Sequence, residues 1–383
     1  RCSFGAAGVV PAMLWEENST MVCESPVMTG TRGPQPFAVT RNGQQYAAST
    51  AEFFFLGAPH IVAPVPLSGP QEGGTTIRFA GGDLTNGSHY MCVIEGYHVP
   101  ASVDVTGHAV VCLTPPSERT CDAYGRCVGR LGATACRVTL NGQQYSNEVS
   151  FLYHDTPRAS ESSPACGPVN GGTVVRVFGA GFRNGTNYFC HFGSRTPVRA
   201  HDVSNGGAEA LSCVLPPAWD SAGVVPLTVT LNGQQYSVES LTFTVMPPSS
   251  LSALEPTQGP TLGTDLLISG VNFTAGCDYQ CAFDDVVVPC GSNNRTGNVH
   301  VRIPVLPRGD APVRVALNGQ QFTEPMSYSV QELVYVSAVS PTLGPAAGGT
   351  LIRIYGANFR NTSQLRCRFG ERLLVAQFDS DTR

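Results

Sequence analysis

The sequence contains no lysine, so all 23 of its strongly basic residues are arginine. Only 13% of residues are charged, and the formal net charge is −5. A chain this poor in cations is bad material for a nucleic-acid or anionic-membrane surface. A coding bias explains the missing lysine without invoking function. Long apolar runs are also absent, which excludes a membrane-spanning segment here, and 42% hydrophobic residues exclude a disordered chain. Two tryptophans, Trp15 and Trp219, are too few for an aromatic sugar-binding platform. No phosphate loop or dinucleotide fingerprint occurs, because the glycine runs open strands and not helices. The eight histidines (His60, His89, His98, His108, His154, His191, His201 and His300) keep no metal or triad spacing. Ser162-Ser163 and Asp284-Asp285 read as solvated turns. Catalytic residues, metal sites and cofactors are therefore all expected to be none.

What the sequence does have is repetition. Asn141-Gly142-Gln143-Gln144-Tyr145 recurs as Asn42 to Tyr46, as Asn232 to Tyr236 and, with one change, as Asn318 to Phe322. Tyr46, Tyr145, Tyr236 and Phe322 stand 99, 91 and 86 residues apart, the size of an immunoglobulin-like sandwich. Asn-Gly between β-rich flanks predicts a type I′ hairpin turn closing each unit. The glutamine pair reads as turn chemistry and edge hydrogen bonding, and the tyrosine as a core or corner residue. The front of each unit carries a second motif. It reads Gly69-Pro70-Gln71-Glu72-Gly73-Gly74-Thr75 and returns from Gly167 to Thr173, from Gly259 to Thr264 and from Gly344 to Thr350. An alternating strand follows, such as Val174-Val175-Arg176-Val177-Phe178, and then Gly-X-X-Phe, whose aromatic is expected to plug the core.

Fourteen cysteines in 383 residues read as disulfides in a secreted protein or as metal and catalytic groups in a cytosolic one. Six Asn-X-Ser/Thr sequons, at Asn18, Asn86, Asn184, Asn272, Asn294 and Asn361, decide for the former. Asn86, Asn184 and Asn361 occupy one place in the repeat, which predicts N-glycans along one flank. The chain opens on Arg1 without a charged-then-apolar leader, so a signal peptide is expected to be removed or to lie upstream. In three units the Cys-X-Phe-Gly strand or its relative is followed about twenty residues on by a second cysteine, Cys23, Cys112 or Cys213. That predicts Cys2–Cys23, Cys92–Cys112 and Cys190–Cys213, each within one unit. In the fourth unit Val301 replaces the second cysteine, so Cys281 must pair with Cys290 or Cys277. An insertion from Ser117 to Leu131 predicts a small loop bridged by Cys121 and Cys127. Cys136 and Cys166 are candidates for joining neighbouring units.

These motifs together resemble the IPT/TIG family, an immunoglobulin-like fold of plexins, Met-type receptors, secreted adhesins and Rel-type transcription factors. The resemblance covers essentially the whole chain. It implies an all-β, linear tandem array of sandwich modules that act as spacer or binding surface, with no catalytic residue to carry over. The basic loops of the DNA-binding members are absent. The expected division is a back half-module at 1–57, modules at 58–154, 155–246 and 247–332, and a front half-module at 333–383. The functional expectation is a non-enzymatic, extracellular or cell-surface structural glycoprotein that forms a rod or filament. Its partner would be itself, head to tail, or a longer chain of the same repeats. The alternative is an adhesion or receptor ectodomain, gamete-adhesion or plexin-like, that binds a cell-surface protein. Neither reading inserts this span into a membrane.

Overall fold

The computed structural model describes every residue except 16–19, 31, 105, 107, 122–126, 206, 294–296, 363–364 and 380–383. Among the described residues there is no α-helix; strands alternate with turns and two single 3-10 turns, Gly5–Ala7 and Phe273–Ala275.

The third unit shows how the pattern folds. Val174–Ala180 alternates outward Val174 and Arg176 with fully buried Val175 and Val177. A strand's side chains point to opposite faces in turn, so one face of this strand must meet a core. It lies in a four-stranded sheet with Arg158–Ser163, Glu209–Val214 and His201–Asp202. The facing five-stranded sheet holds Cys166–Pro168, Leu241–Met246, Gly223–Thr230, Phe189–Phe192 and Val198–Arg199. Within it Cys166–Pro168 runs parallel to Leu241–Met246. Leu211, Leu227, Val229, Phe243 and Val245 fill the space between, each contributing about 1.5–3 kcal/mol by leaving water. Phe182 is fully buried against this core, as Leu84 and Phe273 are in the neighbouring units. Cys190 and Cys213 join the two sheets.

The fourth unit repeats this order, with Cys281 bonded to Cys290 and buried Val301 in the facing strand. In the second unit the long strand Tyr97–Asp104 pairs with both Met91–Ile94 and Ala109–Leu113, so its two sheets run together into one of eight strands. Cys92–Cys112 spans it. Residues 1–57 form a smaller sheet over Cys2, Phe4 and Phe55, tied by Cys2–Cys23. From residue 335 onward there are two ribbons, Tyr335–Ser340 with Arg353–Ala357 and Arg366–Phe369 with Arg372–Val375. Phe369 is 48% exposed there, whereas its counterpart Phe192 is 1% exposed.

Three expectations change. The Asn-Gly turn is not type I′, because among its residues only the glycine has positive φ, 78° at Gly142. Asn141 keeps an ordinary backbone because its side-chain Oδ1 accepts the N–H groups of Gln143 and Gln144, both at 3.1 Å. The pairing strands end at Cys136 and Val149, and a single bridge, Thr139 to Tyr145, closes the loop between them. Tyr46, Tyr145 and Tyr236 are 36–41% exposed and no part of a core; Tyr145 instead meets His98 and the Arg137 guanidinium. Finally, Cys136 joins nothing. It is a buried free thiol, paired in register with Ile94 inside the second unit's core.

Candidate functional site: the joints between units

In each Asn-Gly-Gln-Gln loop the asparagine bonds both glutamines before the loop touches anything else. In the third unit Asn232 Oδ1 accepts the N–H groups of Gln234 and Gln235, while its Nδ2 donates to Gln235 Oε1 at 2.6 Å. Gly233 N–H donates to Thr230 Oγ1 at 3.0 Å. The asparagine thus fixes the backbone and aims the second glutamine in one step.

That aim is at the preceding unit. Gln234 accepts the N–H of Thr76 at 3.0 Å and donates to its carbonyl at 2.8 Å. A side-chain amide here replaces a neighbouring strand, pairing with both polar groups of one backbone residue. Gln235 donates to the Gly74 carbonyl at 2.8 Å and accepts from Thr75 Oγ1 at 3.1 Å. Asn232 Nδ2 reaches the same hydroxyl at 3.4 Å. The acceptor is therefore the Gly-Gly-Thr turn that opens the second unit. Its glycines serve this shape. Gly73 and Gly74 both have φ of +78°, and a Cβ on Gly73 would lie 2.6 Å from the Pro115 backbone.

The next joint repeats the chemistry. Gln320 accepts from Val174 N–H at 2.9 Å and donates to the Val174 carbonyl at 2.8 Å; Thr173 Oγ1 donates to Gln321 Oε1 at 3.0 Å; Asn318 Nδ2 donates to Thr173 Oγ1 at 3.1 Å. Asn232 and Asn318 are 3% and 1% exposed in these joints. A buried amide without partners costs about 1–3 kcal/mol, so only a fully bonded asparagine belongs there.

Beside each latch lies a second contact. Ser68 Oγ and Thr186 Oγ1 are 2.8 Å apart across the first joint. At the corresponding positions across the second, Cys166 is bonded to Cys277. Cys166 precedes Gly167-Pro168 as Ser68 precedes Gly69-Pro70, and Cys277 stands four residues before Cys281 as Thr186 does before Cys190. Cys166 and Met246 of the third unit are also packed into the fourth unit's core. A cleft of about 610 Å³ opens at the first joint, lined by Pro64, Pro66, Leu67, Phe189 and Tyr236 among others.

The structure places the remaining sequence candidates as follows. Asn86, Asn184, Asn272 and Asn361 are exposed, and the first three have φ of 65°, 63° and 61°. Asn18 and Asn294 lie outside the described residues. Thr186, the hydroxyl residue of the Asn184 sequon, is the residue bonded to Ser68. The backbones of Cys121 and Cys127 face one another in a short ribbon, and their side chains lie outside the described residues. Among the described residues no group of three or more His, Cys, Asp or Glu could hold a metal ion, and no helix is long and apolar enough to cross a membrane. Sequence reasoning missed the joints. The available signal was the glutamine pair, kept in all four loops although an Asn-Gly turn does not require it.

Comparison with known proteins follows the same units. The pattern of the IPT/TIG domain matches residues 59–153, 157–245, 249–330 and 335–383. Mouse Plexin-A2 is 28% identical over 228 residues, 56% of this chain and 11% of its own length. Mouse Fibrocystin-L is 23% identical over 328 residues, 81% of this chain and 7% of its own length. The chain thus spans about a tenth or less of these relatives. A solved structure of the Plexin A4 full extracellular region aligns with 100% of this chain and 38% of that one, at 16% identity and a TM-score of 0.41.

Proposed function

Because the chain belongs to the IPT/TIG domain family, we propose that it is a non-catalytic stretch of a receptor or adhesion ectodomain that offers its loops to a protein partner outside the cell. The observation that carries this reading is the joint, built twice from the same residues. Modules latched in this way hold their binding loops at set separations, which a flexible string does not. The relatives, plexins and fibrocystins, support the ectodomain reading. Five disulfides among the described residues, one of them between units, suit an oxidising compartment. N-glycans at Asn18, Asn86, Asn184, Asn272, Asn294 and Asn361 belong to the same proposal.

A second reading, a structural rod or filament, is favoured by the same joint together with the Cys166–Cys277 bridge, since units latched and bonded in series make a stiff linear body. Binding to intact cells separates the two. Saturable binding of the full secreted chain, with one cell-surface protein recovered by cross-linking, is the expected result. Absence of saturable binding, together with regular fibres in electron micrographs, would replace the ectodomain reading with the filament.

A further inference from the structure

We propose that Arg308-Gly309-Asp310, a tripeptide that occurs once in the chain, is a contact site for a cell-surface protein. That partner offers a bound divalent cation to the Asp310 carboxylate and an acidic group to the Arg308 guanidinium. This deepens the ectodomain reading, on which it rests, by naming the residues that meet the partner.

The fold of the fourth unit sets the tripeptide outward. Strand Gly309–Ala316 buries Ala311, Val313 and Val315, so Asp310 stands on the opposite, outer face and is exposed. Gly309 pairs with Val330 and Asp310 with Ser329, which anchors one edge of this stretch. On the other edge, pairing with Gln280–Phe283 begins only at Val313. Among the described residues no strand lies beside Gly309, Asp310 and Ala311 there. Gly309 has φ of +137°, and a Cβ built on it would meet nothing within 4 Å. Glycine is needed here for the shape of the backbone and not for lack of room, so a partner has clear access between the two charged residues.

Neither charge is locked inside the unit. The Asp310 carboxylate has no ion pair or hydrogen bond among the described residues. Arg308 Nη1 lies 3.4 Å from Glu332 Oε1, but these side chains are 58% and 51% exposed. A pair so open to water contributes little and exchanges readily for another carboxylate. A guanidinium takes a carboxylate through two parallel N–H bonds. A carboxylate without a cation of its own is a ready oxygen ligand for a divalent ion, and Asp310 holds it on a short side chain anchored in a paired strand. Two residues span at most about 7 Å, so one partner surface meets both groups. Opposite charges this close fix the partner's orientation as well as attracting it.

The place stays open when a following unit is latched on. Gly223 pairs with Val245 in the third unit as Gly309 does with Val330 in the fourth, which makes Val224 the counterpart of Asp310. Val224 is 68% exposed although the Asn318 loop of the fourth unit engages the third. The second unit reads Leu131-Gly132-Ala133 here and the third Ala222-Gly223-Val224. Of these three units, the fourth alone carries both charges.

The test measures binding of the full secreted chain to intact cells. Saturable binding in magnesium is expected to be lost in EDTA and restored when magnesium is returned. Asp310→Glu keeps the charge but moves the carboxylate by one methylene, and Arg308→Ala removes the guanidinium; each is expected to bind about 30-fold or more weakly. Circular dichroism and disulfide mapping establish that both variants are folded. The peptide Gly-Arg-Gly-Asp-Ser is expected to compete with the wild-type chain, and Gly-Arg-Gly-Glu-Ser is not, a comparison that needs no variant. Saturable binding that survives EDTA, that Asp310→Glu leaves unchanged, or that both peptides leave unchanged would overturn this proposal while the ectodomain reading stands. Absence of saturable binding by the wild type would remove that reading, and this proposal with it.

Discussion

At the scale of single residues, the buried asparagines of the joints have their partners fixed in advance. Asn232 satisfies its amide within its own loop before the neighbouring unit adds a bond. His154 is the contrast. It is 1% exposed, its Nδ1 donates to the Asp155 carbonyl at 2.7 Å, and Nε2 has no partner among the described residues. Burial lowers its pKa below the ordinary value, outweighing that carbonyl and the Glu72 and Asp155 charges. A histidine whose folded pKa is depressed stabilises the fold fully above its unfolded pKa of about 6.5, and that contribution is lost as pH falls from there through the folded value. The second unit is therefore expected to melt at lower temperature as pH drops below about 6.5, with a shallower slope in His154→Phe; equal slopes would refute this. Cys136 is pushed up to about 12 by burial and by Glu148. Its thiol is expected to resist alkylation in the native protein at pH 8 and to react once the chain is unfolded. Mass spectrometry of alkylated peptides reads this directly, and a native Cys136 adduct would contradict the packing.

At the scale of elements, much of the fold was legible because its signals are local. Alternation marks the strands, the glycine-proline turns mark their starts, and Cys190 and Cys213 stand 23 residues apart on strands that face each other. The joints were not legible for the opposite reason. Asn232 and Thr75 are 157 residues apart, and the loop has the same internal bonds whether or not it is engaged. Turn chemistry alone accounted for the asparagine and glycine, which hid the glutamines' second role. The tyrosine was misread because a β-rich flank suggested a core position, whereas the loop carries it past the last strand pair. The sequon register hid a second thing, since Thr186 serves the joint as well as the sequon. Its equivalence to Cys277 is testable. Ser68→Cys with Thr186→Cys is expected to form a bridge like Cys166–Cys277, whose Cα atoms are 5.9 Å apart. Non-reducing peptide mapping should find the new link under oxidising conditions; two persistent free thiols would mean that the joints are not equivalent.

At the scale of the whole molecule, two joints share their latch and differ most in one covalent bond. The joint between second and third units rests on hydrogen bonds, including the Ser68–Thr186 pair, whereas the next adds a covalent bond at the same place. Gln234→Ala with Gln235→Ala removes four side-chain hydrogen bonds across the joint, a loss of about 2–6 kcal/mol at 0.5–1.5 kcal/mol apiece after allowing for water. That is enough to open a joint that no disulfide holds. Gln320→Ala with Gln321→Ala removes the matching bonds, but the Cys166–Cys277 bridge keeps the two units together at high effective concentration. The first variant is therefore expected to widen the distribution of angles between units in electron micrographs and to raise the radius of gyration in solution scattering. The second should match the wild type until Cys166–Cys277 is reduced, and only then loosen. If Gln320→Ala with Gln321→Ala loosens the oxidised chain as much as the first variant does, the disulfide does not hold the joint. If neither variant changes the scattering, the amide latches do not set how the units are arranged, and apolar contacts such as Met246 in the fourth unit's core must do so.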